Sequence, residues 1–194
     1  MFVQGQPCKG LYVLESGHVR LSTISREGRE QVLMTCGPGA TLSELPVIDG
    51  GSHPYCATAV NKSSVFFISS DKLHSFCKHD VNCAVKITGI IAARLRSALG
   101  MIEELSFDTV RKRLAAYLLR AATSEGADGK DPVVQLPTSQ EIASQIGTVR
   151  ELVSRNMSQL RRRRVIWLNG RTMHVLNMNA LAKEAAGLTS DSSR

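Results

Sequence analysis

Four residues in one short span have the types and spacing to read nucleic-acid bases: Arg150, Glu151, Ser154 and Arg155. Arginine bonds guanine O6 and N7 bidentately, glutamate accepts from the cytosine amino group, and serine reaches either kind of edge. At the helical period these residues, with Ser158, fall opposite Val149, Leu152, Val153, Asn156 and Leu160. That pattern predicts a helix with one buried face and one face available to bases.

The preceding residues supply what such a helix needs to be presented. Thr138-x-x-Glu141 is a capping box, in which each side chain satisfies an orphan N–H at a helix start. Ile142, Ala143 and Ile146 give that short helix one apolar face. Gly147 then sits where the chain must turn sharply, a conformation only glycine takes without steric cost. A second capping box, Thr148-x-x-Glu151, is expected to open the longer helix. Together these form a helix-turn-helix, whose second helix enters the major groove. The competing reading is a structural αα-hairpin, and the exposed face argues against it. Glu151 has a competing role of its own, because the carboxylate of a capping box is already engaged.

Charge distribution points the same way. The chain of 194 residues carries a net charge of +7. Residues 1–108 hold ten basic and ten acidic residues, while residues 109–194 hold fourteen and seven. A neutral front half and a basic back half place any phosphate contact in the back half. Arg161 to Arg164 lead the excess. Such a run also complements a helix C-terminus, so only part of it, with Arg161 and Arg162 foremost, is assigned to DNA backbone.

The five cysteines, Cys8, Cys36, Cys56, Cys77 and Cys83, are odd in number and form no C-x-x-C pair. That argues for free thiols in a reducing cytoplasm over a zinc site or a disulfide framework, with a redox role or metal ligation by the thiols left open. No metal site is expected. No run of 18 apolar residues and no charged-then-apolar leader occurs, so neither a membrane span nor a signal peptide is read.

From Leu11 the front half reads as short strands between glycine turns: LYVLES, HVRLSTI, QVLMTC, TLSELPVI, YCATAV and SVFFISS. Strands at this spacing predict a small antiparallel barrel or double-stranded roll. A metal-dependent cupin enzyme would need clustered histidines, and His18, His53, His74, His79 and His174 are scattered singly. Nor is there a P-loop, or a nucleophile with a base, so an enzyme is not expected. A short helix is predicted over Asp71 to His79, then a long one from Val81 to about Phe107. In the latter Ile87, Ile91, Leu95, Ala98, Ile102 and Leu105 recur at coiled-coil-like steps, which predicts pairing with a second copy. Packing on the chain's own barrel competes for part of that stripe. A dimer would set two recognition helices about one DNA turn apart.

Asp108 is expected to cap the next helix, with Val110, Leu114, Tyr117, Leu118 and Ala121 as its core face. A polar loop, SEGADGKDP, leads to a short strand, VVQLP. After Arg164 comes a hairpin, VIWLNGRTMHVL, with Asn169-Gly170 in a type I′ turn. A helix-turn-helix followed by such a hairpin is a winged helix. From Ala180 a short helix is expected, then a disordered tail. The fold class is therefore α+β: a roll over 1–80, a dimerisation helix over 81–107, and a winged helix-turn-helix over 108–194.

These segments resemble the cyclic-AMP receptor protein / fumarate–nitrate regulator family of bacterial transcription factors, over nearly the whole chain. GQPCKGLYVLESGHVRLS is similar to the opening of the family's β-roll. ITGIIAARLRSALGMIEEL is similar to its dimer helix, and LPTSQEIASQIGTVRELVSRNMSQLRRR to its helix-turn-helix. Members usually carry a segment before the first motif. Here Met1-Phe2-Val3-Gln4-Gly5 begins almost inside it, so the roll is expected to lack that segment. By position, Glu151 and Arg155 match the two main base readers. Ser154 matches the E-x-x-S-R pattern of the fumarate–nitrate branch, and Arg150 an arginine of the cyclic-AMP branch. The mixture implies a half-site built on a TGA-like core with its flanking bases open, which a homodimer would meet twice in a palindrome. Thr138, Ser139 and Gln140 match positions that contact DNA backbone. The resemblance also opens RNA polymerase as a partner.

The effector site departs from the family. Nucleotide-binding members have G-E-L and then an Arg-Ser/Thr pair that holds ribose and phosphate. Here the positions are Ser43-Glu44-Leu45 and Tyr55-Cys56, and the purine-facing positions of the dimer helix are Ala98 and Leu99. Without that arginine a phosphate would enter a partly buried site unpaired, at several kcal/mol. Tight binding of cyclic AMP is therefore not expected. The cysteines do not match the iron–sulfur pattern either. Haem, a small organic effector, a thiol switch and no effector all stay open, with an unidentified small molecule, haem included, favoured for a roll with an apolar interior. The alternative to a homodimeric regulator is a ligand-sensing or protein-interaction module that binds DNA weakly and without sequence preference.

Overall fold

A computed structural model of the chain describes residues 1–125 and 133–188. They fall into two compact units, Met1–Ile102 and Glu103–Arg194.

The first unit is built on six strands: β1 (Gly10–Ser16), β2 (Val19–Ile24), β3 (Glu30–Cys36), β4 (Thr41–Leu42), β5 (Cys56–Ala59) and β6 (Ser64–Ser69). They form two antiparallel sheets, of order β4-β1-β6 and β3-β2-β5. The expected double-stranded roll is what the chain forms. Alternation explains it, since successive side chains of a strand face opposite ways. Val19 and Leu21 of β2 point inward with Leu14, Leu42 and Tyr55 to make one core. Gly17, at φ +83°, turns β1 into β2, and a Cβ there would sit 2.5 Å from the Lys62 carbonyl oxygen.

One strand expectation fails. TLSELPVI pairs only through Thr41 and Leu42, and the rest is a helix, α1 (Glu44–Asp49). Ser43 enters it at φ +76°, and Pro46 lies in its first turn, where its missing N–H costs nothing. After β6 come α2 (Ser70–His79) and α3 (Val81–Phe107), as the periodicity predicts. Leu11, Val47, Leu73 and Ile87 pack together where β1 and the three helices meet.

That packing corrects the pairing stripe. Ile87 is buried in the chain's own core and is not left for a second copy, while Ile91 is partly covered by the same cluster. The large apolar side chains left exposed on α3 up to Ile102 are Val81, Val85, Leu95, Leu99 and Ile102. With Thr88 and Ala92, the last four follow heptad spacing, so the exposed seam is rotated from the one read in the sequence.

The second unit holds α4 (Val110–Glu125), β7 (Val133–Gln135), α5 (Ser139–Ile146), α6 (Arg150–Arg162), β8 (Ile166–Asn169), β9 (Thr172–Val175) and α7 (Met178–Ala185). The strands form an antiparallel sheet of order β7-β9-β8. Leu114, Ala115, Leu118 and Ala122 of α4 pack in one core with Ile142, Val153, Leu160, Ile166, Met173 and Leu181.

Several local expectations shift by one or two residues. Thr109, not Asp108, caps α4: its hydroxyl accepts from Lys112 N at 3.2 Å, while the Asp108 carboxylate takes Lys112 Nζ at 2.6 Å. The hairpin pairs Asn169 with Thr172, leaving Gly170-Arg171 as the turn. Only Gly170 has positive φ there, which fits type II′ and not I′. The final helix starts at Met178, capped by Asn177, whose side chain accepts from Ala180 N. Most of the polar loop SEGADGKDP and the tail from Thr189 lie outside the described residues. Among the described residues no helix is long and apolar enough to cross a membrane, and no group of three or more His, Cys, Asp or Glu could hold a metal.

Candidate nucleic-acid interface and effector cavity

The helix-turn-helix is set by local chemistry. Thr138 and Glu141 make the full capping box: Glu141 N donates to Thr138 Oγ1 at 3.3 Å, and Thr138 N to Glu141 Oε2 at 2.8 Å. Gly147 closes α5 in the left-handed region at φ +67°. Its carbonyl accepts from Arg113 Nη2 at 3.2 Å, and Arg113 Nη1 also reaches the carbonyls of Glu104, Leu105 and Asp108. One guanidinium thus ties the helix-turn-helix turn to the end of α3. Gly147→Ala should lower the stability of this unit by about 1–2 kcal/mol, because a Cβ is unfavourable in the left-handed region. A shifted urea midpoint at unchanged slope would show it.

The second capping box is absent. Val149 is the N-cap of α6, no side chain caps it, and Thr148 N donates to the Ala143 carbonyl. Residue 148 is held by the Schellman-like end of α5, so the new helix starts one residue later. Glu151 is therefore released from the capping role, and the objection to it as a base reader falls away.

On α6, Val153, Met157 and Leu160 are buried, while Leu152 and Asn156 are partly so, Asn156 donating to the Leu152 carbonyl. Arg150, Glu151, Ser154 and Arg155 are all exposed, as are Ser158, Arg161 and Arg162. A cleft of about 230 Å³ runs from the start of α5 across α6 to the hairpin, touching Thr138, Ser139, Ser154, Ser158, Arg161 and Arg171. Gln140 and Arg162 are exposed but lie outside it.

Sequence reasoning missed Arg171. It is the second residue of the wing turn, and its carbonyl accepts from Leu136 N at 2.8 Å, which holds the wing against the entry to α5. The signal is present in the sequence, since a basic residue directly follows the expected turn pair Asn169-Gly170. The arginine run divides. Arg163 pairs with the buried Glu184 of α7, whose carboxylate also takes Arg111 Nε and Nη2, each at 2.6 Å.

In the first unit a cavity of about 420 Å³ lies between the roll and α3. Leu21, Leu33, Leu45, Tyr55, Ile91 and Ala98 are among its lining residues. Of the effector-pocket candidates, Leu45, Tyr55 and Ala98 line this cavity. Leu99 is exposed instead, because α3 turns that position away, and Cys56 is buried with its Sγ accepting from Gln4 N at 3.4 Å. Ser43 is buried beside His53 at 3.4 Å, and His53 stacks on Phe2 at 3.8 Å. Burial lowers the pKa of His53.

Glu44 is fully buried and reaches Arg94 of α3, with Nη2 to Oε1 at 2.7 Å. The same guanidinium donates to the Thr41 carbonyl and to Met34 Sδ, and Thr41 Oγ1 donates to Glu44. Burial opposes the charge on Arg94, but Glu44 outweighs it and holds the pKa above its ordinary value. Burial and the nearby Glu44 carboxylate push Tyr55 up to about 12. Arg94, which the sequence reading did not single out, is the arginine that borders the cavity, and it is engaged within the chain.

Residues 1–80 match the cyclic nucleotide-binding domain family, and residues 112–184 the Crp-like helix-turn-helix domain family. The chain is 30% identical to the cyclic AMP receptor protein of Thermus thermophilus over 188 residues, covering 97% of this chain and 85% of that one. The chain belongs to the Crp/Fnr family. It is also 29% identical to a CRP-like cAMP-activated global transcriptional regulator of Mycobacterium tuberculosis, over 95% of this chain and 84% of the relative. The crystal structure of a CRP-family transcriptional regulator from Thermus thermophilus, 26% identical, superposes with a TM-score of 0.74 over 96% of this chain and 92% of that one. Members of the Crp/Fnr family are DNA-binding transcription regulators with an effector-binding domain, not enzymes, and so is this chain.

Proposed function

We propose that the protein acts as a homodimer on a palindromic operator with a TGA-like core, controlled by an effector other than cyclic AMP in the cavity of its roll. The observation that carries the DNA reading is the exposed row of Arg150, Glu151, Ser154 and Arg155 on a helix whose opposite face is locked into the core. Thr138, Ser139, Arg161 and Arg171 border the same cleft and are suited to phosphate, which fixes register without reading sequence. Heptad spacing of Val85, Leu95, Leu99 and Ile102 supports pairing through α3.

A labelled TGA-core palindrome, compared with a scrambled duplex at one fixed salt concentration, tests this. Two protomers per specific duplex by sedimentation are expected. Equal binding to both duplexes, followed by a random-sequence selection that enriches no half-site, would leave only the ligand-sensing alternative.

The effector reading rests on how Glu44 is used. A nucleotide phosphate needs a cation, and the Arg94 guanidinium is already shared among Glu44, Thr41 and Met34. An apolar cavity with its only charges paired off suits an uncharged, mostly apolar molecule. The lining holds no histidine or cysteine and the Sδ of Met34 accepts from Arg94, so a haem there would have to be held by Met101 or Tyr55. Titration calorimetry with cyclic AMP should show no micromolar binding. A micromolar constant would overturn this part while leaving the DNA reading intact.

A further inference from the structure

Three of the five cysteines, Cys8, Cys77 and Cys83, pack around the cluster of Leu11, Val47, Leu73 and Ile87. Two of them touch. Cys77 in the last turn of α2 and Cys83 in the first turn of α3 have their Sγ atoms 3.6 Å apart. Both are partly exposed, whereas Cys36 and Cys56 are buried and Cys8 donates to the Gly10 carbonyl.

The contact is held by the junction between the helices. Asp80 alone separates α2 from α3. Its N–H donates to the Phe76 carbonyl at 2.8 Å, its carbonyl accepts from Cys83 N at 3.1 Å, and its carboxylate accepts from Asn82 N at 2.9 Å. The break is therefore pinned from both sides, and the two thiols are presented to each other by backbone hydrogen bonds. Disulfide sulfurs lie about 2.0 Å apart, so side-chain rotation plus a small backbone adjustment must close the remaining gap.

We infer that Cys77 and Cys83 are a reversible oxidation site, closing an intramolecular disulfide that fixes the α2–α3 junction. With a low-molecular-weight disulfide such as glutathione disulfide as oxidant, one cysteine thiolate attacks a glutathione sulfur. A protein–glutathione mixed disulfide forms and glutathione thiolate leaves. The second cysteine, as thiolate, then attacks the protein sulfur of the mixed disulfide and expels the other glutathione. Two protein thiols are oxidised to one disulfide, the oxidant is reduced to two thiols, and the two protons end on glutathione. Burial, the mutual hydrogen bond and the neighbouring Asp80 all raise the pKa of Cys77. A raised pKa leaves less of Cys77 as the attacking thiolate and so slows its part in the exchange.

The test is mass spectrometry and thiol counting of the intact protein after equilibration with glutathione disulfide. Wild type should fall from five free thiols to three, with a mass loss of about 2 Da, no glutathione adduct, and full recovery on reduction. Peptide mapping should join residue 77 to residue 83. Cys77→Ser and Cys83→Ser should each retain glutathione on the remaining partner, because the second displacement has no nucleophile. Wild type that keeps five thiols, ends as a stable glutathione adduct, or links another pair would overturn the assignment.

Discussion

Arg155→Ala is expected to cost about 1–3 kcal/mol of binding per half-site on a TGA-core palindrome, and almost nothing on a scrambled duplex. The asymmetry is the informative part. Arg155 is exposed, and the residues that anchor α6 are Val153, Met157 and Leu160 on the opposite face. Truncation removes a donor fork without opening a cavity, so thermal stability should be unchanged. A dimer carries the loss twice, once in each half-site. Fluorescence anisotropy on both duplexes at one salt concentration reads it directly. An equal loss on both would mean that Arg155 holds phosphate, and base reading would move to Arg150 and Glu151.

The largest stability effect is expected at Arg94. Arg94→Met should destabilise the first unit by about 3–5 kcal/mol, because it leaves the fully buried Glu44 without a countercharge. The Arg94 side chain is 16% exposed, so the pair is well screened from water and a surface discount does not apply. Arg94→Met combined with Glu44→Gln should recover much of the loss, since a neutral amide tolerates burial when hydrogen-bonded, and Thr41 Oγ1 remains as a partner. Hydrogen exchange at the amides of β2 and β3 isolates this unit from the other. A double variant no better than Arg94→Met would show that the loss comes from packing of the arginine stem and not from the stranded carboxylate.

What the sequence disclosed was whatever depends on near neighbours along the chain. Thr138, Glu141 and Gly147 declare a cap and a turn by type and spacing, and they form both. The turn at Gly170 was misplaced by one residue because strand register chooses the loop, and register is set by Met173 and Val175 reaching the core. The stripe on α3 was misread for a related reason. Periodicity shows that Ile87, Ile91 and Leu95 recur, but not which neighbour each meets: Ile87 meets the roll, while Leu95 remains mostly exposed. Arg94 was invisible as a site residue because its partner, Glu44, lies 50 positions away in the chain. Arg171 is legible in the sequence as a basic residue at the tip of the hairpin, where a wing meets DNA backbone.

The ion pair of Glu184 with Arg111 and Arg163 changes what the basic half of the chain amounts to thermodynamically. Affinity for DNA falls with salt in proportion to the counterions that bound cations displace, about 0.9 per phosphate neutralised. Arg111 and Arg163 already have a carboxylate between them, so neither contributes a full ion to that release. Arg163 is instead the rivet that fastens the end of α6 to α7. The run Arg161 to Arg164 therefore counts for fewer released ions than its four charges suggest, and operator binding should persist further into high salt than the composition implies.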